Sequence, residues 1–260
     1  MLTAYRSHIG RVRQINEDQS WVGELQNGVT LAIVADGMGG HQAGDVASQM
    51  AVNAFRGALE KHAAKPELTE QEGKMLIRQA ISEANETIYA MASGDDRYHN
   101  MGTTIVAALL RAGNAIIGHV GDSRAYKVSK RSIDLLTMDH SLVNELVRSG
   151  QLTEEEAARH PRRNVLTRAI GTDPNVDIDV QALAWSPEDV LMLCSDGLTN
   201  MVSEQEMHAV IAGEDDPTLE SKADHLIQLA LEAGGDDNIT IVLLQEQAGM
   251  KREEGHNDRT

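Results

Sequence analysis

An α+β fold of antiparallel layers is what this chain predicts, on three observations. Amphipathic helical patterns come in runs, two of them in succession between Ala47 and Met91. Short apolar segments also come in runs, joined by tight turns between Thr103 and Thr137, and they return beyond Val176. Strands and helices do not alternate one for one, as the βαβ units of a parallel sheet require, so antiparallel layers are favoured.

Taken in order, Leu31-Ala-Ile-Val-Ala35 is short, continuous and followed by glycine-rich sequence, which reads as a buried strand. Ala47, Ala51, Ala54 and Ala58 then recur at helical spacing. A second helix opens at Thr69, whose partner Glu72 completes a capping box; Ile77, Ile81, Ala84, Ile88 and Met91 form its apolar face. Thr104–Leu110 and Ala115–Val120 flank Gly113-Asn114 as a hairpin, and Ala125–Val128 with Ser132–Leu136 makes another. Two short helices are expected over Ser141–Arg148 and Glu154–Arg159, the second capped by Thr153 and Glu156. Strands follow at Val176–Leu183, Val190–Cys194 and Ile239–Leu244. Helices near Ser203–Ile211 and Pro217–Ala233 lie between the last two; Asp216-Pro217 starts the latter, and Leu219, Ala223, Leu226 and Ala230 are its stripe.

The chain has 260 residues, no internal repeat and no low-complexity linker, so one domain is expected over 1–246, with 247–260 a polar, disordered tail. A chain of this length buries about 70–75% of its unfolded surface and needs no disulfides. The single cysteine, Cys194, agrees and favours a reducing cytoplasm. With 23 basic and 40 acidic residues the net charge is −17, which argues against nucleic-acid and anionic-membrane partners. No apolar run approaches the ~20 residues of a spanning helix. The opening MLTAYRSHIGRVRQ lacks the apolar centre of a signal peptide. With one Phe, two Trp and four Tyr, the core must be aliphatic and filled by methionine.

The chemistry lies in where the aspartates fall. Asp36 and Asp196 each end an apolar run and precede glycine; Asp122 ends another run; Asp237 directly precedes an apolar strand. A single Asp-Gly is ordinarily just a turn. Four carboxylates at strand ends, with Glu17 and Asp18 in the N-terminal strand region, need compensation for their charge. If those ends converge, they make an oxygen-only cluster suited to Mg²⁺ or Mn²⁺. No paired cysteines and no His-Glu-x-x-His suggest zinc. No phosphate-binding Gly-x4-Gly-Lys loop is present either. Cys194 lies inside an apolar strand and reads as a core thiol. Of ten scattered histidines, only His41 and His160 are retained as candidates.

Seven short motifs stand in order: Arg13-x-x-Asn16-Glu17-Asp18, Val34-Ala-Asp36-Gly37-Met-Gly-Gly40-His41, Gly102-Thr-Thr104, Gly121-Asp122-Ser-Arg124, Asp139-His140-Ser141, Ser195-Asp196-Gly197-Leu198 and Asp237-Asn238-Ile-Thr240. In this order they resemble the metal-dependent serine/threonine protein phosphatases, the 2C-like or PPM family, in its stand-alone bacterial form. The resemblance implies a four-layer α-β-β-α sandwich of two antiparallel sheets, with helices on both outer faces and a flap at about 141–170. It implies two core Mn²⁺ or Mg²⁺ ions bridged by Asp36, one also touching the Gly37 carbonyl and the other held by Asp196 and Asp237. Glu17 and Asp18 would anchor the ions' waters, Asp122 would hold a third and weaker ion, and Arg13 would grip the substrate phosphate. Phosphoprotein substrates follow, hydrolysed by in-line attack of a metal-bridging hydroxide with no covalent intermediate. A membrane serine/threonine kinase would be the opposing partner, and the phosphatase itself a cytoplasmic monomer.

Two positions depart from the pattern. Met38 stands where many members carry a histidine general acid, which leaves His41, His160 or a metal-bound water for that role. Asn200 stands where a further aspartate is frequent, and a neutral amide is the poorer cation ligand. A two-metal nuclease is disfavoured by the −17 charge. An inactive binding module is disfavoured because Arg13, Asp36, Asp196 and Asp237 are all intact. The flap carries Arg148, Arg159, Arg162, Arg163 and Arg168 against Glu145, Glu154, Glu155 and Glu156, five minus four or +1, with Arg162 and Arg163 the expected substrate contacts.

Overall fold

The computed structural model describes residues 1–25, 28–39, 43–62, 69–111 and 113–247. His41 and all of the polar tail beyond Gln247 lie outside them. Along the chain run β1 (Leu2–His8), β2 (Asp18–Glu24), β3 (Thr30–Met38), α1 (Ala43–His62), α2 (Glu70–Gly94), β4 (Gly102–Thr103), β5 (Ile105–Arg111), β6 (Asn114–Val120), β7 (Arg124–Val128) and β8 (Ile133–Leu135). Then come α3 (Leu142–Arg148), α4 (Glu154–Ala158), β9 (Asp179–Ala184), β10 (Val190–Cys194), α5 (Asp196–Thr199), α6 (Glu204–Ala212), α7 (Leu219–Glu232) and β11 (Ile239–Gln245).

The strands form two sheets, ordered β1-β11-β10-β7-β8 and β2-β3-β5-β6-β9, with β4 added to the far end of β3. Each pairing is antiparallel. Strand periodicity then divides the side chains between layers. Leu31, Ile33 and Ala35 of β3 face α1 and α2, where they meet Ala47, Phe55, Ile77 and Ile81. Ala32 and Val34 face the other way, into an inter-sheet layer with Val106, Leu191, Leu193, Val242 and Leu244. On the far side Met192, Cys194, Ile241 and Leu243 pack against α6 and α7 through Met207, Ala223, Leu226 and Ala230. The result is the four-layer α-β-β-α sandwich.

Local capping sets most helix starts as read from the sequence. Thr69 with Glu72 and Thr153 with Glu156 form capping boxes, and Ser141 and Ser203 are N-caps. Three expectations need correction. Met91 is exposed, and Ala92, four residues beyond Ile88, takes the last buried turn of α2. Helix α7 starts two residues later than Asp216-Pro217 suggests, because Thr218 and Ser221 build the box that satisfies its first N–H groups. Strand β9 begins at Asp179, since the preceding loop is tied to α2: Asn85 donates to the Asp173 and Pro174 carbonyls at 3.0 and 3.3 Å and accepts from Gly171 N–H at 2.8 Å.

The segment 141–170 leaves and rejoins the body at two pinned points, a bridge between Ser141 and Leu166 and another between Thr103 and Ile170. Helices α3 and α4 lie between them. Strand β6 and helix α2 approach closely at Gly118, where an added Cβ would stand 2.2 Å from Ile77 Cγ2. Gly118→Ala is expected to lower stability by about 1–3 kcal/mol through overpacking. A urea midpoint shifted down with unchanged slope checks it.

Candidate active site

The inter-sheet layer is apolar along most of its length and turns polar at one end. Continuing each strand at period two, Ala32-Val34 leads to Asp36, Leu191-Leu193 to Ser195, Leu244-Val242 to Thr240, Val106 to Thr104, and Val22 to Asp18. Asp18 and Asp36 stand directly opposite each other in the β2–β3 register, on the same face. Like charges so placed repel. Asp36 is thus not at the end of its strand, as the sequence suggested: β3 runs on to Met38 because Gly37 and Met38 pair with β4.

The backbone of Asp36 is held from both sides. Its N–H donates to Thr104 Oγ1 at 3.0 Å, and its carbonyl accepts from Thr103 Oγ1 and the Thr104 N–H, both at 2.8 Å. Thr104 Oγ1 in turn meets Ser123 Oγ at 2.8 Å. Asp18 is buried; Ser195 Oγ donates to its Oδ2 at 2.7 Å, while Oδ1 has no hydrogen-bond partner. Asp196 opens α5, with Ser195 as N-cap, and Asn200 Nδ2 donates to its Oδ2 at 3.0 Å. Asp237 takes Arg13 Nη2 on Oδ2 at 2.7 Å and the Asn238 N–H on Oδ1 at 2.8 Å.

Close backbone approach brings these segments together. A Cβ on Gly37 would lie 2.1 Å from the Gly44 carbonyl oxygen, and one on Gly197 would lie 2.0 Å from that of Asn238. The Gly37 N–H donates to the Glu17 carbonyl at 3.1 Å. Asn238 suspends the loop before β2: its Oδ1 accepts from the Glu17 N–H at 2.8 Å, and its Nδ2 donates to the Ile9 and Ile15 carbonyls at 2.9 and 3.0 Å. That loop carries Arg13. Gly121, with φ of 107°, turns the chain into Asp122 and exchanges two hydrogen bonds with His140, Gly121 N–H to Nδ1 at 3.1 Å and His140 N–H to its carbonyl at 3.0 Å. Arg124 and Asp139 close a bidentate pair at 2.9 and 2.7 Å beside it.

Around this point lies a cleft of about 200 Å³, lined by Arg13, Glu17, Asp36, Gly37, Met38, Thr104, Asp122, Asp196 and Asp237, and by Asn164 and Leu166 from the 141–170 segment. That volume holds roughly six waters, enough for a phosphoryl group with its immediate ligands. Asp18 sits behind the wall. Among the described residues no histidine lines the cleft. His160 Nδ1 instead accepts from the Arg162 N–H at 3.2 Å, and Arg162 and Arg163 are exposed outside the lining. Asn238, Asn164 and Leu166 are the residues whose site roles sequence reasoning missed; Asn238 was quoted in a motif, but its grip on a distant loop leaves no local signal.

Burial and mutual repulsion set the electrostatics. Burial, offset in part by the Ser195 hydrogen bond, raises Asp18 to about 7; burial and the nearby charges of Asp196 and Asp139 raise Asp122 to about 8. Asp36 is pushed well above the usual carboxylate range by burial and then by Asp18, Asp196, Asp122 and Asp237. Burial also raises Asp196 and Glu17. A buried acid cluster with an orphaned oxygen on Asp18 fits hard divalent cations, whose binding needs oxygen ligands and compensates their charge.

The model of the family described as protein phosphatase 2C matches residues 6–227. The chain belongs to that family. It is a protein phosphatase, a hydrolase of phosphoric monoesters. The serine/threonine phosphatase stp of Listeria monocytogenes is 42% identical over 251 residues, which is 96% of this phosphatase and 98% of the relative. The crystal structure of the serine/threonine phosphatase Stp1 from Staphylococcus aureus superposes with a TM-score of 0.89 at 37% identity, covering 95% of this chain and 96% of that one. The catalytic domain of the phosphatase PstP, solved in complex with two manganese ions, matches with a TM-score of 0.80 at 32% identity over 93% of this chain and 96% of that one.

The raised carboxyls fix the pH dependence of the phosphatase. A carboxyl whose folded pKa lies above its unfolded value stabilises the fold at low pH and loses that contribution as pH rises through the folded value. In chelator, therefore, the Asp18 and Asp122 contributions begin to fade at about pH 4 and are lost as pH rises through about 7 and 8. Cations displace those protons and bind best once the groups are ionised. The rise in Tm produced by Mg²⁺ is expected to grow from about pH 6 to pH 8 and then level. Calorimetric melting with and without chelator across that range checks it, and a pH-independent difference refutes it.

Proposed function

We propose that this phosphatase hydrolyses phosphoserine and phosphothreonine in proteins at the carboxylate cleft, within one catalytic domain spanning 1–246. The observation that carries the reading is the facing pair Asp18 and Asp36, ringed by Asp122, Asp196 and Asp237 around a cleft of phosphoryl size. Asp36, the Gly37 carbonyl, Asp196 and Asp237 would hold two Mn²⁺ or Mg²⁺ ions; Glu17 and Asp18 would hold their waters, and Asp122 a third ion. When bound, such cations supply Lewis acidity, lowering the pKa of water and neutralising phosphoryl oxygens. The names of the relatives, and the two manganese ions of PstP, support this reading.

The chain's own residues do the rest. Arg13 is bonded to Asp237, but the pair is open to solvent, with side-chain exposures of 48% and 28%. Such a pair costs about 0–1 kcal/mol to separate. The guanidinium is therefore free to turn its fork onto a phosphoryl group once Asp237 is otherwise compensated. Thr103 and Thr104 hold the Asp36 backbone, so the acid side chains keep their places as charge builds on the substrate. The Met38 thioether has no proton to donate, and we assign leaving-group protonation to water in the cleft. No helix among the described residues is long and apolar enough to cross a membrane. We place the phosphatase in the cytoplasm as a monomer, opposing a membrane-anchored serine/threonine kinase.

Replacing Asp36 by Asn keeps the size and removes the central charge. Turnover of a phosphothreonine peptide should fall at least about a thousandfold, while Tm in chelator at pH 8 rises because the repulsion is relieved. Retained turnover in Asp36→Asn, or in wild type under excess chelator, refutes the metal-dependent reading.

Arg162 and Arg163 are exposed on the flap, outside the cleft lining, which supports a contact with the protein around a phosphosite and not with the phosphate. Reversing both charges should reduce kcat/KM for whole phosphoproteins by about tenfold and leave hydrolysis of a small aryl phosphate near wild type. Equal losses on both substrates would mark a folding defect instead.

A further inference from the structure

The rim of the cleft carries exposed apolar side chains that phosphate chemistry does not require. Val12 is 64% exposed, Ile15 38% and Val165 43%. Single exposed aliphatics are ordinary. Each of these three lies in sequence beside residues that line the cleft. Val12 directly precedes Arg13, and Ile15 lies between Arg13 and Glu17; Val165 lies between Asn164 and Leu166, and all four of those neighbours line the cleft.

The backbone at these positions is anchored. The Ile15 carbonyl accepts from Asn238 Nδ2 at 3.0 Å, and the Arg11 N–H donates to the Gly235 carbonyl at 2.7 Å. On the flap, the Val165 carbonyl accepts from the Leu142 N–H at 2.8 Å, and the Val165 N–H donates to the Arg162 carbonyl at 3.2 Å. Apolar surface is thus presented by fixed backbone on two separate segments, which is how a contact surface is built.

The size of the cleft decides what meets that surface. A cleft of about 200 Å³ that must also hold the compensating cations leaves room for the phosphoryl group and little more, so the residues flanking a phosphorylated serine or threonine meet the rim. We propose that Val12, Ile15 and Val165 form an apolar collar that receives an aliphatic side chain adjacent to the phosphorylated residue. Phosphosites flanked by Leu, Ile, Val or Met are then preferred over those flanked by polar or acidic residues, and the −17 charge of the chain acts further against acidic flanks. The proposal rests on the cleft being the phosphatase site.

Three phosphothreonine peptides, identical except for leucine, serine or aspartate on both sides of the phosphothreonine, test it on the metal-loaded enzyme, with an aryl phosphate assayed in parallel. Wild type should favour the leucine peptide over the serine peptide by about five- to tenfold in kcat/KM, the scale of one or two methylenes leaving water. In the Val12→Ser/Val165→Ser variant that ratio should fall to near one, and in Val12→Ile/Val165→Ile it should persist. Aryl phosphate turnover with a flat leucine-to-serine ratio in wild type overturns the collar and leaves the phosphatase reading standing. Loss of aryl phosphate turnover in wild type overturns the phosphatase reading itself. A leucine preference that survives the serine variant assigns the selectivity elsewhere and overturns the collar too.

Discussion

Two carboxylates, Asp18 and Asp36, face each other across neighbouring strands and point into the space between the sheets. Nothing in the packing of a sandwich calls for this, and at that place unpaired charge is costly. Much of the surrounding structure answers it. Ser195 donates to one oxygen of Asp18, Asn200 donates to Asp196, and burial with mutual repulsion raises these carboxyls above their usual range. The remaining oxygen of Asp18 is left without a partner. A cluster in this condition is poised to exchange protons for cations.

The geometry follows from strand periodicity more than from any special loop. Five strands carry apolar residues into the inter-sheet layer and then, at the same parity, a polar one: Asp18, Asp36, Thr104, Ser195 and Thr240. Because those polar residues inherit the register of the core, its rigidity is transmitted directly to the site. Thr240 and Ser195 exchange hydrogen bonds at 2.9 and 3.0 Å, which locks the two strands of one sheet just where Ser195 reaches over to the other. The glycines at 37 and 197 then let helix and loop backbone come close enough to deliver Glu17, Asp196 and Asp237.

How legible this was in the sequence depended on how local each signal is. Asp36, Asp122, Asp196 and Asp237 stood out because each breaks an apolar run, and helix starts at Thr69, Ser141, Thr153 and Ser203 were readable because capping is settled within four residues. Strand β1 escaped notice because it is an edge strand with only Ala4 buried, so its alternation is faint. The facing of Asp18 and Asp36 is a register, set by pairing, and β2 with its Gln, Ser, Trp and Gly offers no apolar run to announce it. Asn238 reaching back to Ile9 and Ile15, more than two hundred residues away in sequence, has no local trace at all. The contribution of Asn164 and Leu166 was hidden for the same reason: the segment was read by its charges, while its placement over the cleft is fixed by bridges at Ser141–Leu166 and Thr103–Ile170.

That placement bears on how selectivity can arise. An acid cluster that binds cations treats every phosphoryl group alike, since the charge it meets is the same on a peptide and on an aryl ester. Discrimination must therefore come from atoms outside the cluster, and among the described residues the loop before β2, with Arg13, and the 141–170 flap both bring such atoms to the cleft. Neither belongs to a sheet, yet each is tied to one by named hydrogen bonds, the loop through Asn238 and the flap through Thr103 and His140. Changes in either segment can alter what approaches the cleft without disturbing the register that holds Asp18 against Asp36. Chemistry and recognition are separated in this fold because they depend on different constraints, strand periodicity for the one and long-range tethers for the other.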